Sequence, residues 1–353
     1  MSAAVAVIGA GIVGMSTAWR LAQRGFRVTV FDRAFIGGEA SWAGAGMLAP
    51  GGEIESASLL SDLCLESRRL YPEFVHELER ESSLAIDYQE CGGVDLAYSD
   101  AAAEALAARA ARQERLGILS KPLIPAQVTA FWPRLNTVEL AGARFYPGDA
   151  IVNPRDIMAA LAAVCRKLGV ILLEHSAAEQ VEISSASASV NGHAFDVVIL
   201  AAGAWSSAIL LAGVPPVPAS EPVKGHLIGY RQPEQTCGTI VRHGHIYMLQ
   251  RANGLLIAGA SVEHVGFERA LNPEIASWLA REAGFLFPHL RETTLSEAWA
   301  GFRPASDDLH IGPWHSNRLF LAYGHYRNGI LLAPATAERL TSQMMQAANR
   351  SIV

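Results

Sequence analysis

Charge is scarce in this chain of 353 residues. Asp, Glu, Lys and Arg make up 18% of it, against about 25% in an average globular protein. The balance is 28 basic against 34 acidic side chains, a net of −6, and no block of five or six basic residues occurs. This excludes a nucleic-acid binder that works through bulk positive charge. Cysteine is scarce too. The four, Cys64, Cys91, Cys165 and Cys237, form no C-x-x-C pair and none is spaced with histidine as a metal-ligand set. The reading is reduced thiols, a cytoplasmic location and no metal. No Lys or Arg precedes the N-terminal apolar run, so a secretory leader is not expected. Long hydrophobic runs are lacking as well. The uncharged stretch Val197–Ser220 has the length of a membrane span, but Gly203, Gly213, Pro215, Pro216 and Pro218 break it. It reads instead as a buried strand, a glycine turn, a short helix and a proline loop.

Apolar residues and glycine are abundant, at 50% hydrophobic with 31 glycines. That composition excludes a disordered chain and suggests a large buried α/β sheet. The length predicts about two domains.

The first thirty-odd residues carry the strongest chemistry. Ala4–Ile8 is a continuous apolar run, as in a strand buried on both faces. It leads into Gly9-Ala10-Gly11-Ile12-Val13-Gly14, then a helical pattern closed by Gly25, then the strand Arg27–Phe31 and Asp32. This strand–turn–helix–strand–acid order is that of a dinucleotide fold. Gly9 permits the tight turn, Gly11 lets backbone approach a pyrophosphate, and Gly14 lets the helix pack on the strand. Asp32 can accept from ribose hydroxyls and repels a 2′-phosphate, which argues against NADP and leaves NAD and FAD open. The segment Glu39–Pro50 is small and uncharged after Glu39. It suits backbone wrapped around a large planar ligand, or equally a mobile surface loop.

Further along, helices are predicted over Ser58–Glu81, with Leu59, Leu63, Leu70 and Phe74 on one face, and over Asp100–Leu116, with Asp100 as cap. Another opens at Asn153-Pro154 and ends at Gly169. Strands are predicted at Val170–Leu173 and Val197–Leu200. Between Glu221 and Phe302 short strand-like runs follow: His226–Tyr230, Thr239–Arg242, Ile246–Arg251, Leu255–Ser261 and Leu295–Trp299. Asn253-Gly254 marks a hairpin, so this region reads as an antiparallel sheet, interrupted by a helix at Asn272-Pro273. The chain returns to a strand at Leu319–Ala322, a loop Gly324–Gly329, and a last helix from about Pro334. No nucleophile elbow or paired carboxylates stand out.

Three segments carry a family resemblance: Gly38–Leu48, Trp299-Ala300-Gly301-Phe302-Arg303-Pro304, and Gly324-His325-Tyr326-Arg327-Asn328-Gly329-Ile330-Leu331-Leu332-Ala333-Pro334. With the glycine turn, they make the chain resemble the FAD-dependent D-amino-acid-oxidase-like superfamily over nearly its whole length, and within it the glycine oxidases of thiazole (thiamine) biosynthesis. The resemblance implies an α/β, Rossmann-like FAD-binding domain of the glutathione-reductase type, interleaved with an α+β substrate domain on an antiparallel sheet. The FAD domain would comprise 1–85, 146–218 and 300–353, and the substrate domain 86–145 and 219–299.

The resemblance also implies site residues. Gly9, Gly11, Ile12, Val13 and Gly14 would hold the pyrophosphate, and Asp32 with Arg33 the adenosine end. Ser41, Ala43, Gly46 and Met47 would lie along the flavin. Val181 matches a backbone position at adenine, and Ala202, Gly203 and Trp205 a second nucleotide-contacting turn. Gly301, His325, Arg327, Asn328, Gly329, Ile330 and Leu331 complete the FAD set, with backbone donors toward the flavin N1/C2=O side. Arg303 would hold the substrate carboxylate, since a planar guanidinium pairs with it bidentately. Tyr247 would orient that carboxylate, His245 would shape the entrance or be a hydrogen-bonded structural histidine, and Arg327 would approach substrate or support the flavin. Val262 departs from a methionine in the family and would alter the pocket wall.

The implied reaction is oxidative deamination of glycine, and of small amines such as sarcosine or D-alanine. A hydride passes from Cα to flavin N5, O2 becomes H2O2, and the imine is hydrolysed or enters thiazole synthesis, whose enzymes are the implied partners. FAD is expected to be noncovalent, because the last cysteine, Cys237, lies far from the C-terminal flavin loop. A homo-oligomer, a tetramer by resemblance, is expected. Alternatives are a sarcosine, D-amino-acid or secondary-amine oxidase, a quinone-linked dehydrogenase, or a flavin-binding protein without turnover.

Overall fold

The computed structural model describes residues 3–350, with side chains described through 347. The extreme ends of the expected FAD-domain pieces, 1–2 and 351–353, lie outside the described residues. The N-terminal strand–turn–helix–strand unit folds as its pattern predicts: strand Ala4–Ile8, helix Ile12–Gln23, strand Arg27–Phe31. These strands centre a six-stranded sheet in the order His310–Pro313, Leu319–Tyr323, Val197–Leu200, Ala4–Ile8, Arg27–Phe31, Ile171–Leu173. Every pairing is parallel except that of the edge strand His310–Pro313. Side chains alternate across the central strand. Val5 and Val7 pack under the helices with Trp19, Phe74 and Leu161, while Ala6 and Ile8 join Val198, Leu200 and Val190 on the other face. Both faces are dry, which is why the strand reads as an unbroken apolar run. Each such Val or Ile contributes roughly 1.5–3 kcal/mol by burial.

The second sheet has eight strands, in the order Glu297–Ala305, Glu221–Arg231, Leu255–Gly259, Ile246–Gln250, Ile240–His243, Gly93–Ala97, Gly142–Tyr146, Lys121–Leu123. The expected antiparallel character holds, with one parallel pair, Ile240–His243 with Gly93–Ala97. The Asn253-Gly254 hairpin joins two neighbouring strands. Helix Pro273–Leu286, capped by Asn272, covers one face through Leu279, Ala283 and Leu286. The expected boundary at 299/300 falls inside the continuous strand Glu297–Ala305. That strand pairs with Glu221–Arg231 along its whole length, from Glu297 opposite Gly229 to Ala305 opposite Glu221.

Local expectations need four corrections. The cap of helix Asp100–Glu114 is Ser99, whose hydroxyl accepts from Ala102 N at 3.2 Å; Asp100 is already helical. Leu59 opens its helix but is 82% exposed, because the first turn projects beyond the core that Leu63 and Phe74 reach. The uncharged segment after Glu39 is ordered rather than loop: helix Ala40–Ala43, strand Met47–Leu48 and the single turn Pro50–Glu53. The last helix begins at Gly329, not Pro334. Pro334 has no N–H to offer the carbonyl one turn back. The Tyr71 hydroxyl donates to that carbonyl, of Ile330, at 3.1 Å, so the helix runs through the proline.

Candidate functional site

A cavity of about 350 Å³ opens at the C-terminal ends of the parallel strands, where the chain leaves Ile8, Phe31 and Leu200. This is the crevice where open α/β sheets bind ligands. Gly9 turns there at φ +107°, and a Cβ on it would lie 2.4 Å from the Ala201 carbonyl oxygen. A Cβ on Gly14 would lie 2.0 Å from the Gly9 oxygen, so helix and strand close on each other only because both are bare. Gly11 caps the helix without a side chain, and the hydroxyl of Ser41 accepts from Ile12 N at 2.9 Å. The helix start therefore faces the cavity through backbone, ready for an anion.

Asp32 braces this turn. Its carboxylate accepts from Ala10 N and from Ala34 N, each at 2.8 Å. The Arg33 guanidinium lies 3.8 Å over the Trp205 ring and pairs with Glu39 at 2.9 Å, closing one end of the cavity. Along the wall, side chains from elsewhere take four successive carbonyls. Arg155 donates to Trp42 at 3.4 Å and Trp299 to Ala43 at 2.9 Å. Arg251 donates to Gly44 at 3.1 Å and Ala45 at 3.4 Å. These donors satisfy the open end of helix Ala40–Ala43 and hold its backbone against the cavity. Burial pushes the Arg251 guanidinium down to about 10.

The last helix points its N-terminus, Gly329 and Ile330, at the same space. His325 lies just before it, buried, with Nε2 3.0 Å from the Thr336 hydroxyl. Burial, with the nearby His310, lowers its pKa to about 3, so it is a neutral wall residue at pH 7.

At the other end Arg303, Tyr247 and Arg327 come together. Gly225 and Gly301 face each other across two strands and form a bare floor. A Cβ on Gly225 would lie 2.3 Å from the Arg303 guanidinium, and one on Gly301 2.4 Å from the Ala43 methyl. Arg303 Nη1 donates to the Ser261 carbonyl at 3.0 Å, and Arg303 makes no ion pair among the described residues. Arg327 instead pairs with Glu53 at 3.2 Å. Burial lowers the Arg303 pKa and Arg327 adds to this, while Tyr247 works the other way. Burial opposes charge on Arg327, yet Glu53 and Tyr247 hold it above its ordinary value. Burial raises the Tyr247 hydroxyl, with Arg303 and Arg327 pulling it back.

Most expected residues line this cavity: Gly9, Gly11, Ile12, Val13, Asp32, Arg33, Ser41 and Ala43, then Ala202, Gly203, Trp205, Gly301, His325, Gly329 and Ile330. Others do not. Val181 is buried in a strand paired with Val190, and Ala177 and Ala178 form the wall instead. His245 is exposed at the tip of the hairpin joining Ile240–His243 to Ile246–Gln250 and is not among the lining residues. Val262 is 50% exposed and also outside. Gly46 sits behind the wall, where a Cβ would strike the Val152 oxygen, and Met47 pairs with Ile151. Asn328 closes the turn onto the His325 carbonyl, and Leu331 is buried beneath it. Cys237 is buried among Val241, Met248 and Leu256, and no cysteine is among the described lining residues.

The sequence did not single out Glu53, Gly225 or Arg251, and named Trp299 only within the segment Trp299–Pro304. Gly225 proves to lie inside a strand, where a glycine marks a close approach.

A family model described as FAD dependent oxidoreductase (DAO) matches residues 4–343. The chain is 33% identical to the glycine oxidase of Geobacillus kaustophilus, over 94% of this chain and 90% of the relative. It is 33% identical to the bifunctional protein ThiO/ThiG of Trichormus variabilis over 96% of this chain, and spans about half, 52%, of that longer protein. The crystal structure of glycine oxidase from Geobacillus kaustophilus superposes with a TM-score of 0.90 at 30% identity, covering 98% of this chain and 95% of that one. Among the described residues no helix is long and apolar enough to cross a membrane.

Proposed function

Because the chain belongs to the DAO family of FAD-dependent oxidoreductases, we propose that it is an amino-acid oxidase acting on glycine and similarly small amines. The balanced reaction is glycine, O2 and water to glyoxylate, ammonia and H2O2. The observation that carries this reading is Arg303. It is a half-buried guanidinium in the cavity with no ion-pair partner among the described residues, beside a bare glycine floor. Such a group is completed by a ligand carboxylate in a bidentate pair.

The residues present fit FAD. Bare Gly9 and Gly11 and the helix start behind them suit the pyrophosphate, Asp32 and Arg33 the adenosine end, and the 41–44 and 329–330 backbones the flavin. When bound, FAD supplies the two-electron oxidant that takes the hydride and passes the electrons to O2. The protein's part is positioning and electrostatics. Arg303 holds the carboxylate and the Tyr247 hydroxyl donates to it. The positive charge of Arg303, which no carboxylate of the described residues offsets, disfavours an ammonium beside it and so favours the neutral amine that oxidation requires. The ThiO/ThiG relatives support placing the product in thiazole synthesis for thiamine.

Anaerobic titration of the holoenzyme with glycine, sarcosine and D-alanine, followed by flavin bleaching, tests the reading. Bleaching by glycine with peroxide on readmission of air is expected. No bleaching by any of the three would sink it.

A further inference from the structure

Two guanidiniums, Arg303 and Arg327, share the substrate end of the cavity with Tyr247. Their circumstances differ. Arg303 meets only a carbonyl, whereas Arg327 Nη2 is met by Glu53 Oε1 at 3.2 Å. A second substrate anion would find Arg327 already neutralised and a carboxylate beside it.

Glu53 is held in place by a built support. It ends the single turn Pro50–Glu53, whose glycines lie against Tyr146 and Arg242 of the eight-stranded sheet. The fully buried Gln113 donates to the Gly51 carbonyl at 2.9 Å and to the Ile54 carbonyl at 2.7 Å, gripping the turn at both ends. Asp149 accepts from Gly51 N at 3.1 Å and is itself paired with buried Arg242 at 2.7 Å. Side chains at positions 51 and 52 would collide with the Tyr146 ring and the Arg242 guanidinium, at 2.4 and 2.8 Å. The turn is thus locked between buried groups, and the carboxylate it carries is fixed toward Arg327.

We propose that Glu53 is the specificity residue that limits the pocket to substrates with one carboxylate: it occupies Arg327 and leaves Arg303 as the single carboxylate site. The class excluded is amino acids with a second carboxymethyl group on nitrogen, of which iminodiacetate is the simplest. The inference rests on the reading of Arg303 as the carboxylate site. Replacing Glu53 by Gln keeps the shape of the side chain, removes the repelling charge and frees Arg327 for the second anion.

The test compares the wild-type holoenzyme with Glu53→Gln, Glu53→Ser and the double variant Glu53→Gln/Arg327→Met. Binding of acetate and of diglycolate, neither of which carries an amine, is followed by the change each makes in the flavin absorption spectrum. In parallel, kcat/KM is measured for glycine and iminodiacetate. Removing Glu53 is expected to raise the dicarboxylate-to-monocarboxylate affinity ratio about tenfold or more, the scale of one charge-assisted contact. The iminodiacetate-to-glycine kcat/KM ratio should move with it, and Arg327→Met should reverse both gains. The inference is overturned if both ratios stay within about twofold of wild type in a Glu53 variant that retains its flavin, or if the gain survives loss of Arg327. If no amine is turned over by any form, the oxidase reading fails separately, and the diglycolate-to-acetate ratio still decides the role of Glu53.

Discussion

Arg303 donates to the carbonyl of Ser261 at 3.0 Å and to no carboxylate among the described residues. Its guanidinium comes close to bare Gly225, where a Cβ would lie 2.3 Å from Nη1 and Nη2. The proposed role of this half-buried cation, holding a substrate carboxylate, makes it the first residue to change. Arg303→Ala should lower kcat/KM for glycine by about 30-fold or more, the cost of ~2–5 kcal/mol for truncating a buried hydrogen-bonded charge pair. Arg303→Lys should recover only part of this, because an ammonium lacks the bidentate fork. Steady-state peroxide assays check both. A Lys variant equal to wild type would show that the fork is not used.

Asp32 accepts from Ala10 N and Ala34 N and so ties the glycine turn to the second strand. Asp32→Ala leaves both N–H groups without their acceptor. It should destabilise the apoprotein by ~1–3 kcal/mol and reduce FAD retention on gel filtration. Urea unfolding of the apo form separates the two effects.

The Tyr71 hydroxyl stands in for the N–H that Pro334 lacks. Tyr71→Phe should cost ~1–3 kcal/mol by leaving the Ile330 carbonyl unpaired inside the core. Pro334→Ala in the same background restores a backbone donor, so the double variant should regain much of that loss in thermal melts.

Trp299 holds the Ala43 carbonyl at 2.9 Å from the far sheet. Trp299→Phe keeps the ring's apolar bulk and loses the donor. FAD affinity should fall several-fold, read by fluorescence on reconstitution, while the far-UV circular dichroism of the apoprotein stays as in wild type.

His325 has its pKa lowered to about 3 from an ordinary 6.5, by burial and by His310. Below pH 6.5 the unfolded chain binds a proton that the folded one refuses. Stability therefore falls as pH drops from about 6.5 toward 3. His325→Gln should show a smaller loss between pH 7.5 and 5.0 in urea midpoints. Equal losses in the two proteins would remove His325 from the acid response.

The nucleotide half was legible because its constraints are local. A strand buried on both faces, a turn needing bare glycines and a helix period all leave marks within some thirty residues. Asp32, Gly9 and Gly14 stand where that spacing puts them. Val181 and His245 are not among the residues lining the cavity, and the sequence could not show this for the converse reason. Which face of a strand, or which end of a hairpin, meets the cavity is a matter of register and packing, and a one-residue change of face leaves the sequence pattern intact. The start of the last helix was misread because a proline ordinarily opens a helix, and its missing donor was supplied by Tyr71, 259 residues away from Ile330.

By itself the amino-acid order determined the doubly covered parallel sheet, its glycine turn and the antiparallel sheet. Each follows from hydrophobic period and backbone freedom along one short segment. Tertiary structure alone decided the chemistry at the substrate end. Glu53 reaches Arg327 across 274 residues, while Arg303, in the strand paired beside that of Gly225, meets the Ser261 carbonyl and no carboxylate among the described residues. Which charges are paired and which stay open depends on distances between remote segments, and those distances exist only once the core has packed.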